Sequence, residues 1–189
     1  ADIQDGATVA IAGFGVAHRF ATTLIVALRD KGTKNLTIVA NSLGDPGATR
    51  GQILAENKQV KKVVVAFSVR PGSPTASEQQ INDGTLEVEL VPQGILVERC
   101  RAGGAGLAAF YSPTSVGTDL TKGRELREFD GKQYVLEKAI HLDYALLRGY
   151  RADRLGTCSS VVAAKTSTLR SVKPHVLPSW KWMRSSNPV

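Results

Sequence analysis

The groups in this sequence that could handle a ligand are glycines and uncharged amides. Gly13-Phe14-Gly15, continued by Val16 and Ala17, follows the β-prone run at residues 8–12 (TVAIA). Two positions without side chains therefore stand where a strand turns toward a helix. Backbone N–H groups at such a turn can approach an anion such as a phosphate, and a tight turn holding nothing is the plain alternative. Asn41-Ser42 and Gln93-Gly94 also follow apolar runs. An amide there can donate a hydrogen bond to a carbonyl or carboxylate oxygen without adding charge, and loop capping is the other use of the same residues. The full dinucleotide fingerprint is absent, and Asn41 stands where a ribose-binding acid would close the second strand. Both facts speak against a nicotinamide cofactor.

An attacking group is harder to find. His18, His141 and His175 have no partners at metal-ligand spacing, and His141 with Asp143 reads as a solvated pair. Cys100 falls on a helical pattern among Val97, Glu98 and Arg101, which suits a buried structural thiol better than a nucleophile. No Ser-His-Asp set suggests itself. The chain offers a binding edge and leaves the reactive group to come from elsewhere.

The elements that must carry these residues alternate. Apolar runs at residues 8–12, 36–40 and 62–67 and an alternating run at 86–91 read as strands. Helical spacing covers 20–31, stopped by Gly32, and also 51–57, 76–83 and 93–102, the last starting after Pro92. This order predicts an α/β domain: an open, mostly parallel sheet with helices on both faces. A hairpin across Asp130-Gly131 joins 126–129 to 132–136 as a small antiparallel addition, and 145–147 is a further strand. The run 102–110, containing Gly103, Gly104, Gly106 and Phe110, reads as a small-residue loop entering Ser112-Pro113-Thr114. Such a loop admits another surface or a long ligand, or is simply undecorated.

At 189 residues, 42% hydrophobic and 22% charged, the chain has the composition of one ordinary globular domain, or slightly more. No apolar stretch is long enough for a transmembrane helix, and the first residues carry acids rather than a secretory signal, so no membrane role is expected. Two cysteines make neither a disulfide framework nor an all-cysteine zinc site. A cytoplasmic setting follows, or a mitochondrial matrix in a eukaryote. The net charge of +7 comes largely from residues 156–189, which hold Lys165, Arg170, Lys173, Lys181 and Arg184 and no acid; the rest of the chain is only +2. No basic stripe marks a helix, so nucleic acid is not an expected partner.

Longer motifs carry a resemblance. Asp5-Gly6-Ala7-Thr8-Val9 leading into Gly13-Phe14-Gly15, the stretch 84–94 (GTLEVELVPQG), and 98–106 (ERCRAGGAG) resemble the A (alpha) subunit of family I 3-oxoacid CoA-transferases. The likeness continues through 109–114 (AFYSPT), Gly117-Thr118, 127–131 (REFDG), 134–137 (YVLE) and Ala152-Asp153-Arg154. The resemblance implies transfer of CoA from succinyl-CoA or a similar acyl-CoA to a 3-oxoacid such as acetoacetate or 3-oxoadipate. It implies no permanently bound cofactor, coenzyme A as substrate, and a nucleophilic glutamate on a separate B subunit in a heterodimer or heterotetramer. By motif, Gly13, Phe14, Gly15, Val16 and Ala17 would contribute to CoA binding. Asn41, Ser42, Gln93 and Gly94 would face acyl or carboxylate oxygens. Gly103, Gly104, Gly106, Phe110, Pro113 and Thr114 would line the interface with B. Two rivals remain: a truncated CoA-binding relative without catalysis, and a sugar-phosphate isomerase of the same fold group, which would need its own carboxylate and lysine.

Two departures qualify the likeness. His18 and Arg19 stand where the family carries a small-residue turn with proline. The expected domain covers residues 1–156, lacking a family N-terminal helix, and residues 157–189 look unlike it. That tail holds Trp180, Trp182, Met183 and seven serines. A shifted reading of suitable codons for it spells family-like segments, so out-of-frame translation is the expectation for the tail.

Overall fold

The computed structural model describes residues 3–13, 20–44, 50–68, 72 and 74–149, together with the backbone of 151–152 and 158–159. In chain order, β1 (Thr8–Ile11) leads to α1 (Thr22–Lys31), β2 (Leu36–Ala40), α2 (Gln52–Glu56), β3 (Val60–Val65), α3 (Ala76–Asn82), β4 (Glu87–Leu90) and α4 (Gln93–Gly104). Then come β5 (Ala109–Ser112), β6 (Leu126–Phe129), β7 (Lys132–Lys138) and β8 (Tyr144–Leu146). The expected α/β fold is present. Five strands form a wholly parallel sheet in the order β4-β3-β2-β1-β8.

Period-two geometry explains why the strands read as unbroken apolar runs. Val9, Ile11, Ile38, Val63 and Val65 face a core completed by Ile25 and Leu28 of α1 and Leu54 of α2. Ala10, Val39 and Val64, one residue out of step, face a second core with Ile95, Leu96 and Cys100 of α4. Every central strand is thus buried on both faces. β4 lies at the sheet edge, which accounts for its alternating sequence. Gly32 closes α1 in the left-handed region, φ 75°, its N–H bonding to the Arg29 carbonyl, as the sequence predicts.

The chain returns across the sheet through α4 and a three-stranded antiparallel sheet ordered β5-β7-β6. Asp130 and Gly131 both take positive φ, 50° and 74°, in the tight turn that the Asp-Gly pair predicts. β5 was not foreseen, because four residues of mixed polarity become a strand only through pairing with β7. α4 also runs past the expected end to Gly104, leaving residues 105–108 as the loop. A partly buried charge cluster clamps the two sheets together. Arg99 on α4 donates to Glu89 of β4 at 2.6 Å and to the Lys138 carbonyl at 2.7 Å. Arg124 Nη1 lies 2.9 Å from both oxygens of Glu137, which is 2% exposed.

Candidate functional site

Parallel strands deliver their following loops to one edge of the sheet, where ligands of such folds bind. The order β4-β3-β2-β1 sets Gln93, Phe67, Asn41 and Gly13 side by side along that carboxyl edge. Gly13 and Asn41 follow neighbouring strands. Gln93 lies two strands from Asn41, roughly 10 Å at the usual strand spacing.

Each position has a local reason. A side chain at Gly13 would stand 2.8 Å from the ring of Phe20, itself only 4% exposed, so glycine here is a packing requirement as well as a turn residue. Phe14, Gly15, Val16 and Ala17, with His18 and Arg19, lie outside the described residues, as does the tail beyond residue 159. Ser42 is buried at 8% exposed. Gln93 opens α4 and is half-buried, and Gly94 beside it is exposed with nothing near its α-carbon.

Asn41 is the informative residue. Its backbone carbonyl accepts hydrogen bonds from Ala66 and Phe67 N–H at 3.1 Å each, which fastens the loop after β2 to the loop after β3. Its side chain takes no part in this: Oδ1 is buried without a partner. The Gln93 side chain likewise has no partner among the described residues. Among the described residues, no loop-capping hydrogen bond from either side chain is seen. A buried acceptor left unmet costs about 1–3 kcal/mol, so Oδ1 marks a place where an N–H or O–H of a ligand or water can supply the missing bond.

The remaining candidates separate. Gly103 is buried inside α4, Gly106 is exposed with φ 75°, and Phe110 packs against the second core. Pro113 and Thr114 are exposed. The six proposed interface residues thus do not form one continuous loop. Cys100 is 4% exposed, and burial, only partly opposed by the charge of Arg99, pushes its thiol up to about 11. It is a core thiol, as expected. Asp143 accepts the Thr8 N–H at 2.8 Å, tying β8 to β1. Sequence reasoning missed Gln52, Thr75 and Ser77, which cluster beside Ser42. A Thr-x-x-Glu capping box at Thr75–Glu78 was the available signal for the last two. No helix among the described residues is long and apolar enough to cross a membrane.

Comparison with known proteins bears on the family and the fold. Residues 1–167 match the family described as Coenzyme A transferase. The A subunit of succinyl-CoA:3-ketoacid coenzyme A transferase from Xanthomonas campestris pv. campestris is 44% identical over 165 residues, covering 87% of this chain and 65% of the relative. Its namesake from Helicobacter pylori is 43% identical over 154 residues, covering 82% and 64%. The chain thus spans just under two thirds of the length of these relatives. Among solved structures, an acyl-CoA transferase from E. coli O157:H7 (YdiF), in a thioester complex with CoA, superposes with a TM-score of 0.75. It is 26% identical and covers 93% of this chain and 38% of that one.

Proposed function

The chain belongs to the coenzyme A transferase family, and we propose that it is the non-nucleophilic A subunit of an enzyme that moves CoA from succinyl-CoA, or a similar acyl-CoA, to a 3-oxoacid such as acetoacetate or 3-oxoadipate. The observation that carries this reading is that Asn41 and Gln93 share the carboxyl edge of the sheet, where neutral amide N–H groups can donate to a substrate oxygen. The bacterial relatives are named as A subunits, which supports a separate B subunit for the partner.

In this reading the attack comes from a glutamate carboxylate on B. It adds to the thioester carbonyl and expels the CoA thiolate, leaving an acyl-glutamyl anhydride. The thiolate then attacks the glutamyl carbonyl, the acid leaves, and CoA is held as an enzyme thioester. The acceptor acid takes the CoA by the reverse sequence. Covalent catalysis of this kind keeps the thioester's energy through both half-reactions and loses none to water. Asn41, Ser42 and Gln93 hold the acid's carboxylate, or the carbonyl oxygen as it gains charge, through neutral donors whose positions are set before substrate arrives. Gly13 and the residues after it approach CoA through their backbone. Exposed Gly106, Pro113 and Thr114 belong to the surface that meets B, and Gly103 and Gly104 support it from α4. The transferase domain gives way to the tail near residue 156, and resequencing codons 150–190 decides whether that tail is read in frame. Transfer assays with and without a B subunit test the reading.

A further inference from the structure

The bend from β4 into α4 has no side-chain lock of its own. Pro92, which precedes the helix, has no side chain to cap the first turn, and backbone closes it, Leu96 N–H donating to the Pro92 carbonyl at 2.9 Å. Gln93 is the first residue of that turn. The strand side of the bend is firm, because the Val91 N–H still donates to the Val65 carbonyl of β3 at 2.9 Å. The direction in which α4 leaves, and with it the place of Gln93, is set further along the helix.

Arg99 spans the bend. Glu89 is in register with Val64, which faces the second core, so Glu89 lies on the α4 side of β4. From α4, Arg99 Nη1 reaches Glu89 Oε1 at 2.6 Å, and Nε reaches the Lys138 carbonyl of β7 at 2.7 Å. The Arg99 carbonyl in turn accepts the Ile140 N–H at 2.9 Å. Lys62 Nζ stands 3.3 Å from the other Glu89 oxygen and holds the carboxylate from its far side. Glu89 lies four residues before Gln93 and Arg99 six after it, so the two are the arms of an elbow with Gln93 near its apex. Among the described residues no other ion pair joins α4 to the parallel sheet. Stability is a weak reason for such a pair. Withdrawing two charges from water costs about what their attraction returns, and apolar residues of similar size often serve a fold as well. What a planar, two-point guanidinium adds is a single geometry.

We propose that Arg99 is a positioning residue, which through Glu89 and the Lys138 carbonyl fixes the β4–α4 elbow and so holds the Gln93 amide at its place on the carboxyl edge. This rests on the CoA-transfer reading, in which that amide donates to a substrate oxygen. A donor aimed in advance acts only while it stays in place, and a shift of about 1 Å can cost up to about a hundredfold in rate.

The test is a mutant cycle, measured on the complex of the full chain with a B subunit. Arg99→Met combined with Glu89→Leu removes the clamp without stranding the Glu89 charge, which Arg99→Met alone would do, and Glu137 keeps Arg124. This clamp-free variant should lower kcat about tenfold or more and leave KM within about twofold, as for a donor that counts in the transition state. Arg99→Lys, which puts a point charge in place of the two-point fork, should fall between it and the parent. The clamp-free pair introduced into Gln93→Ala should cause no further loss, because Arg99 acts through that amide. A merely structural clamp would lower turnover by the same factor in either background. That result, or full kcat in the folded clamp-free variant, would overturn the proposal. Should the double substitution not fold, Arg99→Lys in the two backgrounds carries the same comparison. The two readings also fail differently. A parent complex that transfers CoA, with equal losses in both backgrounds, keeps the reaction and removes the role of Arg99. A parent complex with no transfer removes the reaction and the role of Arg99 in it.

Discussion

Gly103 and Ile140 are in such close backbone contact that a methyl group on the glycine would lie 2.1 Å from the Ile140 carbonyl oxygen. The segment after β7 is held there by the Ile140 N–H, which donates to the Arg99 carbonyl at 2.9 Å. Backbone, unlike a side-chain tip, cannot swing aside. Gly103→Ala should cost about 1–3 kcal/mol, the usual range for overpacking a core. Urea unfolding checks this, with Gly94→Ala as the control. Gly94 is also helical but has nothing within 4 Å, so that variant should be unchanged or more stable by up to about 1 kcal/mol.

A pH dependence follows from Glu89. Burial alone would raise its carboxyl, but the hydrogen bond and charge of Arg99, with Lys62 behind them, outweigh burial and hold it below the ordinary value of 4.5. A depressed acid contributes stability above its unfolded pKa and loses it as pH falls through the folded one. The stability difference between the parent and Glu89→Gln should stay level from pH 7 to about 5 and shrink below 4.5. A difference that persists undiminished to pH 3 would remove the argument.

Cys100 should be unreactive in the native chain. With its thiol pushed up to about 11 by burial, little thiolate exists at pH 8. Iodoacetamide followed by peptide mapping should leave Cys100 unmodified in buffer and alkylate it in denaturant.

These predictions draw on features that differ in how visible they were in the sequence. Strands β1 to β3 were legible because both of their faces are buried, so Val, Ile and Ala run without interruption. The Asp130-Gly131 turn was legible because few dipeptides accept two positive φ angles in succession. β5 was not, since Ala109–Ser112 owes its conformation to Leu136 and its neighbours across the ladder. The positions of Asn41 and Gln93 could be read from the ends of apolar runs. Their lack of partners could not, and neither could the meeting of Gln52 with Ser77, 25 residues away. The Arg99–Glu89 pair is hidden for the same reason, each residue looking like surface charge until the helix folds back.

Asn41 and Gln93 give a prediction in which activity and stability part company. Neither side chain holds the fold together, so Gln93→Ala should shift the unfolding free energy by less than about 0.5 kcal/mol, and Asn41→Ala, which also removes an unmet buried oxygen, should leave it unchanged or raise it by about 1–3 kcal/mol. In the assembled enzyme each should lower kcat/KM by about tenfold or more, since a lost charge-assisted hydrogen bond to the substrate is worth about 1.5–3 kcal/mol. Large losses of stability without loss of turnover would return these residues to a structural role.

The most direct measurement is the appearance of acetoacetyl-CoA from succinyl-CoA and acetoacetate, followed for this chain alone and after addition of a B subunit from a related transferase. Turnover should be absent with either polypeptide by itself and should rise in proportion to the complex formed, saturating at equal amounts of the two. Turnover by this chain alone, or a fully formed complex with no transfer, would contradict the account.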